Sequence, residues 1–203
     1  MDVPWLRFDQ TTPSEDEQAR IQEVLRAGQL IILPTDTVYG VAADERVEGT
    51  EQAIYEAKRR PANLLLPRLA ASLSHVEAHG ATVGAEARKL AEKFWPGALT
   101  LVLPHPDLGS VGYRVPEDPV ALAVLEAAEF PLLVTSANLS GEPETTTAEA
   151  AFASLAPSIA MVLDAGPAPS KVPSSVVRVT GNSLEVLREG VVSSAAIEET
   201  LRA

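Results

Sequence analysis

The spacing of apolar and polar residues changes several times along this chain, and each change marks an element. Ser14-Glu15-Asp16-Glu17 has the form of a capping box, and Ala19, Ile21, Val24 and Leu25 follow at helical spacing until Gly28. "QLIILP" then predicts a buried strand closed by Pro34, and "TDTVYGVAAD" a loop rich in hydroxyls. A helix is predicted from about Thr50 to Lys58, because Pro61 bars Arg60 from comfortable helical geometry. Gly84 to Phe94 predicts another, stopped by Trp95-Pro96-Gly97, and "ALTLVLP" a strand. Asp118-Pro119 is an N-cap with proline at the first helical position, opening "VALAVLEAAEF". "PLLVTS" predicts a strand, Thr147 caps "AEAAFASLA", and "AMVLDAG", "SSVVRVTG" and "LEVLREG" predict three more strands before a short final helix.

Strands alternate with helices at the front, which predicts partly parallel pairing; the three closely spaced strands at the back predict an antiparallel or mixed segment. The expected fold is one α/β domain over residues 1–203, with a twisted mixed parallel/antiparallel sheet flanked by helices. "AGPAPSKVPSS" is expected to be a loop and not a domain boundary.

Composition narrows the functions available. The 203 residues carry 28 acids against 16 bases, a formal net charge of -12, so the overall field does not favour nucleic acid and any phosphate contact needs a local basic patch. The chain has no cysteine, which excludes disulfides and thiolate metal sites. His75, His79 and His105 form no metal-ligand pattern and are expected on the surface or in loops. No basic start leads into an apolar run, and no apolar stretch reaches about 20 residues, so a cytoplasmic protein without a membrane span is expected.

Two segments carry candidate chemistry. After the strand "PLLVTS" come Ser136, Asn138 and Ser140 at alternate positions, then Gly141. Ligands of open α/β sheets sit beyond the carboxyl ends of strands, and hydroxyls and amides there suit phosphate, ribose or an amino-acid head group. The same residues are also ordinary turn formers. The second segment, "AKRRPANLLLPRL", holds Lys58, Arg59, Arg60 and Arg68 without an acid. Lys58 and Arg60 straddle a helix end and could face one phosphate chain, or simply complement the helix dipole. Arg114 and Arg188 are lone strand arginines, the first a candidate partner for Glu117 or Asp118; Asp36 and Asp44 are candidate magnesium partners. Neither a P-loop nor a G-x-G-x-x-G after a strand is present.

Taken in order, "LPTDTVYGVAAD", "IYEAKRRP", "KFWPGALTLVLP", "YRVPED", "LLVTSANLSGEP", "LDAGPAPSKVPSSVVRV" and "VLREG" resemble the YrdC/YciO family, best known for threonylcarbamoyl-AMP synthases, from about residue 15 to residue 195. The likeness is to the short, single-domain form. Lys58 and Arg60 supply the family's K-x-R element, and Ser136 and Asn138 its S-x-N element. The resemblance implies a nucleotidyltransferase that joins L-threonine, bicarbonate and ATP, with Mg2+, into threonylcarbamoyl-AMP and pyrophosphate. Downstream transferase proteins then modify tRNA. It implies that Lys58, Arg60, Ser136 and Asn138 are catalytic. Thr35, Tyr39 (closing the pocket), Arg114, Ser136 and Ser174 should hold threonine. Lys58, Arg60, Asn63, Asn138, Ser140 and Arg188 should hold ATP.

The chain departs from the family pattern at Arg59, where glycine is usual, and at Leu64 and Arg68, where proline and histidine are usual. Arg59 is expected to exclude positive-φ geometry. Arg59 and Arg68 also raise an alternative: an altered member that contacts RNA or ribosomes through a local basic patch, or uses another carbamoyl or adenylyl substrate.

Overall fold

A computed structural model of the chain describes residues 3–9, 11–62, 64–181 and 183–202. Its elements run β1 (Trp5–Arg7), α1 (Glu15–Arg26), β2 (Leu30–Leu33), β3 (Gly40–Ala43), α2 (Thr50–Lys58), β4 (Arg68–Leu69), α3 (Leu73–His79), α4 (Ala85–Phe94), β5 (Leu99–His105) and β6 (Gly109–Arg114). Then follow α5 (Pro119–Ala128), β7 (Leu132–Ser136), α6 (Ala148–Leu155), β8 (Ile159–Asp164), β9 (Ser175–Thr180), β10 (Ser183–Arg188) and α7 (Ser194–Arg202). All strands join one mixed sheet in the order β1-β8-β2-β3-β7-β4-β6-β5-β9-β10.

Local signals explain many boundaries. The Ser14 side chain accepts from the Glu17 amide while Glu17 accepts from the Ser14 amide at 2.9 Å, the expected capping box. Asp118 caps α5 through the Ala121 amide at 2.8 Å, with Pro119 opening the helix. Thr147 caps α6 in the same way.

Covering helices divide the sheet into two halves. From β1 to β7 both faces are packed. Helices α1 and α5 cover one with Ile21, Leu25, Val124 and Leu125, and α2 and α6 cover the other with Ile54, Tyr55 and Leu155. From β6 to β9 only one face is packed, where Leu99, Leu101, Val111, Tyr113, Val177 and Val179 meet Leu90 of α4 and Ile197 of α7. The alternate residues of those strands, Thr100, Val102, Gly112, Arg114 and Val176, face an open cleft. Strand alternation thus puts a core on one side and a ligand surface on the other.

Several expectations need correction. "GVAA" is strand β3, not loop; it is buried on both faces, so the alternation that marks a half-exposed strand is missing. The three back strands do not form one unit: β9 and β10 are an antiparallel hairpin, but β8 runs parallel to β1 and β2 in the other half. The Pro/Ser-rich loop carries the chain from β8 to β9, beside β5. Helix α3 begins at Ser72, whose side chain accepts from the His75 amide, and it carries His79 inward. The His79 side chain is 5% exposed and His105 8%, so neither is a surface histidine. Arg59 adopts φ 49 and ψ 41, closing α2 with left-handed geometry despite its Cβ.

Candidate active site

The open face of the sheet becomes the floor of a cleft of about 710 Å³. One wall is the β2–β3 turn with Thr35 and Thr37, followed by the loop after β7 with Ser136 to Glu144. The opposite wall comprises Pro173, Ser174, Leu187 and Arg188, and Leu64 to Pro67 overhang a third side. Lys58, Arg60, Arg114, Arg178 and Arg188 line it against only two carboxylates, Glu142 and Glu144, among the described residues. In a chain of net charge -12, the positive groups are concentrated where an anion would sit.

Helix α2 brings Lys58 against the loop that follows β7, 78 residues later in sequence. Its ammonium donates to the Ser136 carbonyl, to the Asn138 carbonyl at 2.6 Å and, more weakly, to Asn138 Oδ1 at 3.4 Å. Lys58 is 1% exposed, and burial pushes its pKa down to about 8. The Asn138 amide donates to the carbonyls of Leu139 and Glu142, at 3.1 and 2.7 Å. Both motif residues therefore hold the loop as well as border the cleft. Arg60 spans the overhang, donating to the carbonyls of Leu64 and Leu65 at 3.2 Å each, which leaves three of its five N–H groups for a ligand. Ser136 is half-buried and Ser140 exposed, and both line the cleft. Asn63 lies outside the described residues.

Arg114 pairs with Asp36 at 2.6 Å, not with Glu117 or Asp118. It also donates to Thr37 Oγ1 at 2.7 Å and to the Gly97 carbonyl at 2.8 Å, so one N–H on each terminal nitrogen is left over. That leftover pair matches a carboxylate. Thr35 lines the same corner, but its hydroxyl is spent within its own turn, accepting from Thr37 and Val38 amides and donating to the Val38 carbonyl at 2.7 Å. Tyr39 also borders the cleft, next to Val38 and Gly40. Its side chain is wholly buried and its hydroxyl donates to the Gly166 carbonyl at 2.6 Å, tying down the loop after β8.

Across the floor, Ser174 Oγ lies 2.9 Å from Thr100 Oγ1, and the Ser174 carbonyl accepts from Arg188 at 2.8 and 3.1 Å. Gly190 lets this wall close: a Cβ there would sit 2.2 Å from the Pro173 carbonyl oxygen. The motifs thus predict Lys58, Arg60, Thr35, Tyr39, Arg114, Ser136, Asn138, Ser140, Ser174 and Arg188 at one cleft, and all ten line it. They miss Thr37, Thr100 and Glu144. A lone threonine on a floor strand or an acid in a polar loop carries no local signal of its neighbours.

The acids first considered for magnesium are already engaged: Asp36 by Arg114, and Asp44 by Arg46 at 2.7 Å. No group of three or more metal-binding side chains occurs among the described residues. Glu144 differs, since its Oε2 is buried at the cleft without a hydrogen-bond partner there. Among the described residues no helix is long and apolar enough to cross a membrane.

Comparison with known proteins fits this geometry. A Mycobacterium tuberculosis protein is 37% identical to the chain over 205 residues, spanning 96% of this chain and 94% of its own. The Bacillus subtilis protein named threonylcarbamoyl-AMP synthase is 34% identical across 95% of this chain, which spans 59% of that longer protein. The crystal structure of Pyrococcus abyssi Sua5 complexed with L-threonine superposes with a TM-score of 0.90 at 32% identity, covering 99% of this chain and 61% of that one. The family model described as "Telomere recombination" matches residues 23–190, and the chain belongs to this Sua5/YciO/YrdC family.

Proposed function

We propose that this protein is a threonylcarbamoyl-AMP synthase, a nucleotidyltransferase that uses L-threonine, bicarbonate and ATP. The observation that carries the reading is the joining of Lys58 with Ser136 and Asn138 in one anion-attracting cleft that also holds Arg114. The names of the Bacillus relative and of the threonine-bound Pyrococcus structure support it.

In this reading the threonine nitrogen takes up bicarbonate with loss of water to give a carbamate. A carbamate oxygen then attacks the α-phosphorus of ATP, and the bond to pyrophosphate breaks. The protein's part is positioning and charge stabilisation. The free N–H pair of Arg114 takes the threonine carboxylate, held at a fixed angle by Asp36, Thr37 and Gly97. The free N–H groups of Arg60 and Arg188, with the Ser136 and Ser140 hydroxyls, meet the phosphates. Lys58 contributes a buried positive charge at close range while keeping the Ser136–Asn138 carbonyls in place. With a pKa of about 8 it remains mostly protonated at neutral pH. Magnesium bound with ATP would neutralise phosphate charge. The product would pass to tRNA-modifying transferase proteins in the cytoplasm.

The test is a chromatographic assay with ATP, magnesium, bicarbonate and threonine, each left out in turn. A nucleotide product and pyrophosphate that require all three substrates are expected. Pyrophosphate release independent of threonine would overturn the reading. Lys58→Ala should lower turnover at least about a hundredfold, the scale of losing one preorganised charge at a reacting phosphate. Wild-type turnover in that variant would remove the assigned role.

A further inference from the structure

Glu144 sits in the loop between β7 and α6. The adjoining Thr145 anchors it there: the Thr145 carbonyl accepts from the Tyr39 amide at 2.9 Å, and its hydroxyl donates to the Ala137 carbonyl at 3.1 Å. The carboxylate is thereby held at the cleft beside the motif loop and Lys58. Its Oε2 is buried and has no hydrogen-bond partner among the described residues. Nearby acids are treated differently, since Asp36, Asp44 and Glu45 are each paired with an arginine. Lys58 does not satisfy Glu144, because its three N–H groups go to oxygens of Ser136 and Asn138. A carboxylate oxygen taken out of water without a donor is a destabilised acceptor, and a cation or donor entering the cleft would relieve it.

We infer that Glu144 is the protein carboxylate that ligates the divalent cation accompanying ATP in this cleft. The inference rests on the ATP-using reaction proposed above. Its chemistry fits in two respects. Magnesium bound with a nucleotide takes most of its oxygens from phosphate and water and needs only one or two carboxylates, so one acid is enough. The basic residues beside Glu144 are those suited to phosphate, which places the carboxylate at the phosphate end of a bound nucleotide. The two aspartates that the sequence offers for this role, Asp36 and Asp44, are neutralised by arginines and lack a comparable unpartnered oxygen.

The test uses Mn2+ as the probe and α,β-methylene-ATP as a nucleotide that cannot release pyrophosphate. Free Mn2+ is followed by electron paramagnetic resonance in the presence of the full chain. Nucleotide binding without metal is measured separately by calorimetry. Glu144→Gln should weaken Mn2+ binding in the ternary complex at least about tenfold while metal-free nucleotide affinity stays within about twofold. Glu144→Asp retains the charge but shortens the reach, and should also lose Mn2+ affinity if the carboxylate is a direct ligand. Unchanged Mn2+ affinity in the glutamine variant overturns the inference, as does full affinity in the aspartate variant, which would reduce Glu144 to a distant charge. Absence of nucleotide binding by the wild type would instead refute the ATP-using reaction itself. Should the glutamine variant melt early, the aspartate variant decides alone.

Discussion

Arg59 ends helix α2 with its amide bonded to the Glu56 carbonyl and its backbone at φ 49, ψ 41. A side chain with a Cβ costs about 1–2 kcal/mol in this region, and glycine returns about 0.5–1 kcal/mol of that through unfolded-state entropy. Arg59→Gly should therefore stabilise the fold by roughly 0.5–1 kcal/mol, read as a higher denaturation midpoint, with turnover retained. A less stable or inactive variant would show that the Arg59 side chain makes a contribution outweighing its strain. The expectation that arginine excludes this geometry fails because the cost is small compared with what surrounds it. Lys58 and Arg60 are held by carbonyls on either side, and those bonds over-determine the residue between them.

Strand β4 is only two residues long, yet it sits between β7 and β6 at the centre of the sheet. Its back face explains how it holds. Arg68 binds Glu45 through both carboxylate oxygens, Glu45 accepts from His79 Nε2 at 2.9 Å, and His79 Nδ1 accepts from the Tyr113 hydroxyl at 2.7 Å. Burial pushes the Tyr113 hydroxyl up to about 12 and lowers the His79 pKa below its ordinary value. The same strands present Leu69, Gly112 and Arg114 to the cleft, so this buried chain of bonds sets the floor from behind. In this arrangement His79 is neutral, and a second proton would reverse its bond to Tyr113 and place a charge in a buried site. Because the unfolded state takes up that proton more readily, stability is full above the ordinary histidine pKa of about 6.5 and falls as pH drops below it. Chemical denaturation at two pH values on either side should show this loss in the wild type and less of it in His79→Gln. Equal pH dependence in both would exclude His79 as the group responsible. None of this network could be read from the sequence, because Glu45, Arg68, His79 and Tyr113 come from four separate segments with no common spacing.

The whole molecule is acidic, and its basic side chains are divided among ion pairs, the cleft and scattered exposed positions. Arg68 is neutralised by Glu45, Arg46 by Asp44 and Arg88 by Glu77, while Lys58, Arg60 and Arg188 line the cleft. Arg20, Arg26, Arg59, Lys89, Lys93 and Lys171 are also exposed, but they are spread over α1, the end of α2, α4 and the loop before β9 in a chain of net charge -12. Bare tRNA should therefore bind weakly and with a shallow salt dependence in filter binding between about 50 and 200 mM salt. Tight binding that collapses steeply over that range would favour the reading of an RNA-contacting family member. Periodicity, caps and two short motifs were enough to determine the α/β class, nearly every helix and the family, because those signals are local and each residue carries its own. Only the tertiary structure decided the strand order, the separation of β8 from β9, the partners of Arg114 and His79, and the unpartnered oxygen of Glu144. Those depend on which distant segments share a face and which groups are cut off from water, and no spacing along one chain encodes either.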